Sequence, residues 1–253
     1  MVENQLSSAA LHPLRDRRLL LVLLLLGLSA VGTLGFTPLE TVLPPGMIVP
    51  RVVLLIQPAI IVMLGTVLGW WLAPRTGLGA PLLTAMLEGR DWRSLLSAAA
   101  LPIAAVAGAS AAILIGYSLY VEGQLTLPGP MGTLQIPAIT RLGYGGIGEE
   151  LITRWGILTA LMAAALRLGL PRNAAFWTAN AIAAVLFAAG HLGLLFVLVP
   201  HPPLWLLGMV MAGNILPALG FGWLYRRSGI EAAMLGHAGA HLFALLAASA
   251  GLG

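Results

Sequence analysis

Gly148-Glu149-Glu150-Leu151-Ile152-Thr153-Arg154 sets two carboxylates and a guanidinium within about two helical turns, and the residues that follow, Trp155-Gly156-Ile157-Leu158-Thr159-Ala160-Leu161-Met162, are almost wholly apolar. A charge in the middle of a membrane-spanning helix costs about 2.5–3.5 kcal/mol on insertion scales. Such groups turn inward, find partners, and mark chemistry or transport. What these three charges meet is the question that decides the reading of the whole chain.

The surroundings are those of a membrane protein. The chain has 253 residues, of which 59% are hydrophobic and 9% charged, against roughly 25% charged in a soluble domain. Apolar runs occupy nearly all of it, so a separate soluble domain has no room. All 13 basic residues are arginine, a codon bias toward GC-rich sequence. They are dispersed at segment ends, which argues against a nucleic-acid partner. The absence of cysteine excludes disulfides, thiolate metal sites and a cysteine nucleophile.

The expected fold class is all-α, a polytopic helical bundle of about seven (six to eight) transmembrane helices. Residues 1–18 form a polar, basic tail. Spans are expected at Leu19–Phe36, Val52–Ala73 with a kink at Pro58, and within Ser94–Tyr120, with a short surface helix near Pro81–Glu88. Glu122–Tyr144 is rich in Gly and Pro and reads as an interruption containing an interfacial or re-entrant piece. The fourth span runs from Gly145 or earlier to Leu168, the fifth over Ala174–Val199, the sixth over Leu204–Tyr225 and the seventh over Ile230–Ala250. The N-terminal spans and loops then occupy residues 19–144 and the chemistry-bearing core residues 145–250.

Placing the N-terminus in the cytoplasm puts Arg15, Arg17, Arg18, Arg75, Arg90, Arg93, Arg167, Arg172, Arg226 and Arg227 on the cytoplasmic side and leaves only Arg51 and Arg141 opposite. That is a positive-inside distribution.

Few other polar groups lie deep in the late spans. His191 is in the fifth; His237 and His241, one turn apart on one face, are in the seventh; Asn180 and Asn214 are also in spans. At a rise of about 1.5 Å per residue, Glu149 and His191 fall about 12 Å below the outer surface, and His237 and His241 about 12 and 18 Å in from the inner one, close to mid-membrane in a core of ~30 Å. Groups from the fourth, fifth and seventh crossings therefore converge at similar depth. Taken singly, Glu150 and Arg154 (i, i+4) suit a structural clamp, the asparagines suit helix packing, and a lone histidine suits an interhelical hydrogen bond. As a set they point to function. Three readings stand side by side. Glu149 and the imidazoles could activate water. Glu149, His191, His237 and His241 could hold zinc. The cluster could also relay protons or bind cargo in a transport, immunity or scaffold protein.

The ordered pattern Glu-Glu-x-x-x-Arg (Glu149, Glu150, Arg154), Phe-x-x-x-His (Phe187, His191) and His-x-x-x-polar (His237, His241), with Gly222-Trp223-Leu224-Tyr225-Arg226-Arg227-Ser228-Gly229 leading into the last, resembles the CAAX protease and bacteriocin-processing (CPBP) family of intramembrane glutamic endopeptidases, earlier described as metalloproteases. The resemblance spans roughly Gly145–Leu246. It implies Glu149 as the base that activates water, His191 and His237 holding that water or the oxyanion, and Glu150 and Arg154 shaping the site. The family usually has Asn where this chain has His241. The implied catalytic set is Glu149, Glu150, Arg154, His191, His237 and His241, with no cofactor in the glutamic reading and zinc in the alternative. The implied partners are the bilayer and a membrane-associated protein or peptide, prenylated or bacteriocin-like. The implied place is the plasma or inner membrane of a prokaryote.

Overall fold

The structure, a computed structural model, describes residues 16–38, 43, 48–124, 136–199 and 201–251. Among these residues it is helical throughout, with no strand. Helix α1 (Arg17–Thr33) ends in a 3-10 turn, Leu34–Phe36; α2 is Arg51–Thr76, α3 the short Pro81–Leu87 and α4 Trp92–Gln124. Helix α5, residues 138–167, is continuous but changes winding. It is α-helical over Ala138–Thr140, π-helical over Arg141–Gly148 and Leu151–Leu158, and α-helical again over Thr159–Arg167. Glu149 and Glu150 lie between the two π runs. Helices α6 (Arg172–Leu198), α7 (Leu204–Ser228) and α8 (Ile230–Ser249) complete the bundle.

Six of these helices are long and apolar enough to cross a membrane: Arg17–Phe36, Arg51–Thr76, Trp92–Val121, Arg172–Leu198, Leu204–Ser228 and Ile230–Ser249. Helix α5 lies among them as a seventh. Large apolar side chains such as Leu25, Leu64, Leu101 and Leu246 are more than half exposed on the outside of the bundle. A protein in water does not cover itself this way, whereas lipid tails make no such demand. The protein is an integral membrane protein.

The boundaries differ from the sequence expectation in two instructive places. Helix α2 passes both Pro58 and Pro74 and stops only at Gly77, whose φ of 70° supplies the left-handed cap. A proline removes one backbone donor, but a glycine at positive φ ends the helix. Residues 138–144, expected within an interruption, are the opening turns of α5. The tail up to residue 15, and residues 125–135 of that interruption, lie outside the described residues.

Helix α5 is the centre of the packing. Leu151, Trp155 and Leu158 are fully buried and share a core with Leu19, Val62, Phe176, Phe221 and Ile230 from the surrounding helices. Lipid gives helices no hydrophobic reason to associate, so close contact between backbones must supply the attraction. The small residues are placed for it. A methyl group at Gly156 would sit 2.8 Å from the Gly65 Cα; one at Gly146 would sit 2.7 Å from the Ala238 Cβ. Trp155 Nε1 donates to the Thr66 carbonyl at 2.9 Å, tying α5 to α2. At the other end Thr140 Oγ1 donates to the Thr33 carbonyl at 2.7 Å, tying α5 to α1.

Helix α8 is held at its start. Ile230 N donates to the Gly79 carbonyl at 3.0 Å, and Leu83 N donates to Glu231 Oε1 at 2.7 Å. The short α3 thus clasps the helix that carries His237 and His241.

Replacing Gly156 with Val should separate α5 from α2 and lower stability by about 1–3 kcal/mol, the usual range for overpacking. Thermal unfolding of the purified protein in detergent measures this; a melting temperature equal to wild type would contradict the close α2–α5 seam.

Candidate active site

The adjacent glutamates of α5 face different surroundings. Glu150 is fully buried, and Arg154, one turn on, is 2% exposed. Arg154 Nη1 donates to Glu150 Oε1 at 2.8 Å and to Thr153 Oγ1 at 2.8 Å. Its guanidinium also lies over the rings of Phe187, at 4.8 Å, and Phe221, at 5.4 Å. Those two faces give the desolvated cation further favourable contact from α6 and α7.

Glu150 Oε1 takes a second donor. His237 Nδ1 lies 2.8 Å from it. A carboxylate accepts, so Nδ1 carries the proton and the ring is oriented with Nε2 pointing the other way. Nε2 is 4.0 Å from Glu149 Oε2. That is beyond a direct hydrogen bond and within the reach of one shared water. One imidazole therefore stands between the two neighbouring carboxylates, bonded to the buried one and facing the other. Its ring is sandwiched between Phe221, 4.6 Å away and nearly parallel, and His241, 5.0 Å away and tilted by 25°.

Glu149 belongs to the cavity side. Its side chain keeps 23% exposure and lines a cavity of about 610 Å³ together with His191, His237, His241, Tyr144 and Phe221. The remaining walls come mostly from α4, α6, α7 and α8 and are largely leucine, isoleucine, methionine and alanine. Glu150 and Arg154 do not reach the cavity; they stand behind it.

His191 enters from α6. Its Nδ1 donates to the Phe187 carbonyl of its own helix at 2.9 Å, which leaves Nε2 available to the cavity. It makes no hydrogen bond to Glu149 among the described residues. His241 faces Gly145 of α5 so closely that a methyl group there would lie 3.0 Å from its Nε2. Glu149, His191, His237 and His241 thus line one cavity, while Glu150 and Arg154 hold His237 from below. Among the described residues no group of three or more His, Asp or Glu side chains is spaced to hold a metal ion.

The asparagines stay apart from this cluster. Asn180 Nδ2 donates to the Leu219 carbonyl at 3.1 Å and packs on Gly222, joining α6 to α7. Asn214 lines the cavity but donates to Val210 of its own helix at 2.8 Å. Two contributors carried no signal in the sequence. Phe221 stacks on His237 and lies under the Arg154 guanidinium, yet it stands in an apolar helix with nothing to mark it. Tyr144 lines the cavity one turn before Glu149, within the glycine-rich start of α5.

Removing one member of the buried pair strands the other. Arg154→Met should lower stability by about 3–5 kcal/mol. The double variant Arg154→Met, Glu150→Gln should lose less than the sum of the two single losses. A double-mutant cycle on thermal stability reads the coupling, and strict additivity would show that the pair is not one unit.

Neither the curated proteins nor the solved structures include a match to this chain. A family model does match: residues 133–243 fit the one described as type II CAAX prenyl endopeptidase Rce1-like. The match runs from α5 into α8 and contains Glu149, Glu150, Arg154, His191, His237 and His241, so the segment that builds the site is similar to that family.

Proposed function

We propose that the protein is an intramembrane endopeptidase in which Glu149 activates water against a peptide bond. The observation that carries this is the row Arg154–Glu150–His237–Glu149, which ends at a cavity and begins in a buried ion pair. Peptide hydrolysis needs a base for water and donors for the tetrahedral oxyanion. Glu149 is the carboxylate in reach of the cavity, and His237 Nε2 is 4.0 Å from it. A water held between them loses its proton to Glu149 as its oxygen attacks the scissile carbonyl carbon. The carbonyl oxygen takes up negative charge. When the intermediate collapses, the carbon–nitrogen bond breaks and Glu149 returns the proton to the leaving amine.

The other residues follow from their surroundings. Glu150 fixes the tautomer and direction of His237, and Arg154 balances the charge on Glu150. His191 and His241 supply ring nitrogens on the cavity wall, suited to the oxyanion or to the substrate's carbonyls. His241 occupies the place where the family usually has Asn; it meets the same need for a polar group beside Gly145.

The substrate class follows from the apolar cavity wall and the family description. It is a membrane-associated peptide or protein, with a prenyl chain suited to the Leu, Ile and Met lining. The arginine distribution supports a cytoplasmic N-terminus.

Glu149→Gln keeps the side-chain shape and removes the base, so cleavage of a membrane-anchored prenylated peptide should fall by 100-fold or more, roughly the contribution of general-base catalysis. His237→Phe should produce a loss of similar size without unfolding the bundle. Undiminished cleavage by Glu149→Gln ends the hydrolase reading. Stoichiometric zinc in the purified protein, with activity lost to a chelator and regained on zinc addition, replaces the water-activating glutamate with a metal centre.

A further inference from the structure

A second recess lies at the end of the bundle away from Glu149 and its cavity. Helices α2, α5 and α7 finish at this end, α1, α4 and α6 begin there, and it carries Arg17, Arg18, Arg75, Arg93, Arg167, Arg172, Arg226 and Arg227. The recess, of about 370 Å³, is lined by Asn173 and Trp177 of α6 and by Trp223, Arg226 and Arg227 of α7. Peptide hydrolysis makes no use of it.

Both of its guanidiniums are held on aromatic rings. Arg226 Nη1 crosses from α7 to α6 to donate to Asn173 Oδ1 at 2.9 Å, and its guanidinium lies 4.6 Å from the centre of the Phe176 ring. The Arg227 guanidinium lies 5.5 Å from the centre of the Trp223 ring and has no hydrogen-bond or ion-pair partner among the described residues. An arginine laid on a ring is oriented while its N–H groups remain free at its edge for an oxyanion. The acids of this end are taken by other groups. Asp16 pairs with Arg18, Glu88 with Arg90, Asp91 accepts from Arg93 N and Ser94 N, and Glu231 accepts from Leu83 N. The counter-charge for Arg226 and Arg227 is left to come from outside the described chain.

The indoles say what kind of anion fits. Trp177 and Trp223 lie between one and two turns inward from the start of α6 and the end of α7, and Trp177 is 43% exposed. Tryptophan at that level marks the boundary between headgroups and hydrocarbon. A ligand that fills the recess therefore has an oxyanion at the helix ends and an apolar body one turn deeper. A free phosphate would leave the indoles bare, and an acidic peptide would have to bury polar backbone against them. A phospholipid has both parts in the right order.

We propose that this recess binds an anionic phospholipid, with its phosphodiester on Arg226 and Arg227 and its glycerol and upper acyl carbons against Trp177 and Trp223. Basic recesses between membrane helices hold headgroups by this chemistry. The bound lipid bridges α6 and α7, which are joined further in by Asn180 Nδ2 and the Leu219 carbonyl at 3.1 Å. The same two helices carry Phe187, His191 and Phe221 of the Glu149 cavity, so the lipid braces that wall from its far end. The proposal stands independently of the hydrolase reading.

The test uses the full chain, delipidated in a non-ionic detergent, with dioleoylphosphatidylglycerol and dioleoylphosphatidylcholine as probes. Native mass spectrometry reads bound lipid and thermal unfolding reads the stabilisation that binding confers. Phosphatidylcholine has the same phosphodiester, but its choline cation meets the same arginines. Phosphatidylglycerol should bind roughly tenfold or more tightly than phosphatidylcholine and raise the melting temperature. Arg227→Gln should weaken phosphatidylglycerol binding roughly fivefold, and the double variant Arg226→Gln, Arg227→Gln should abolish the preference. Arg93→Gln removes a cation stacked on Trp92 at the same end but outside the recess, and should leave the preference intact. Arg227→Gln breaks no hydrogen bond within the protein, so it decides the matter if the double variant fails to fold. Equal affinity for the two lipids, no loss with Arg227→Gln, or an equal loss with Arg93→Gln overturns the site. So does inorganic phosphate or a polyglutamate peptide that binds as tightly as phosphatidylglycerol, which would assign the arginines to a soluble anion or to a protein partner.

Discussion

A single carboxylate oxygen, Glu150 Oε1, receives both Arg154 Nη1 and His237 Nδ1 at 2.8 Å. Without it the guanidinium would be an uncompensated charge in a fully buried position, and the imidazole would be free to turn. With it, α5 is joined to α8, and His237 presents a defined nitrogen to the cavity. The aromatic faces of Phe187 and Phe221 close the arrangement from α6 and α7. Four helices are thereby positioned by one anion. A buried ion pair is weak evidence of stability in itself, since desolvation offsets most of the attraction. Its value here is in direction: the bond to Nδ1 decides which way Nε2 looks.

The two glutamates illustrate how environment divides labour between identical side chains. They are consecutive in sequence, and each lies near a different nitrogen of the same ring. One is sealed behind the cavity wall with a permanent counter-charge. The other opens on the cavity and, among the described residues, has no cation bonded to it. The π-helical turns on both sides of the pair widen α5 where these side chains emerge. Irregular winding of this sort recurs at functional sites, because an inserted residue re-aims side chains that a regular helix would point elsewhere.

Much of this was legible in the sequence because membranes make polar groups conspicuous. The Glu-Glu-x-x-x-Arg spacing announced the buried pair of Glu150 and Arg154, and the depth arithmetic brought Glu149 and the histidines to similar depth. The helix count and the surface helix at Pro81–Leu87 followed from hydropathy and proline placement. The rest was illegible for physical reasons. Which glutamate would be sealed and which exposed depends on the rotation of α5, and the π turns that set this rotation have no pattern in side-chain type. Phe221 acts by shape, so it looks like any other apolar residue of α7. The grip of Glu231 on Leu83 joins residues far apart in the chain, and neither carries a mark of the other.

The central position of α5 bears on how the protein is made. Glu150 and Arg154 sit one turn apart, so the helix can enter the bilayer with its charges already matched to each other. The third member of that set, His237, leaves the ribosome 87 residues after Glu150. Until then the interior of the nascent bundle is missing the wall that α8 provides, and Glu149 faces either lipid or a neighbouring chaperone. Biogenesis therefore has a vulnerable interval between synthesis of the acid pair and arrival of the final helix, during which a membrane insertase that shelters polar segments has most to contribute.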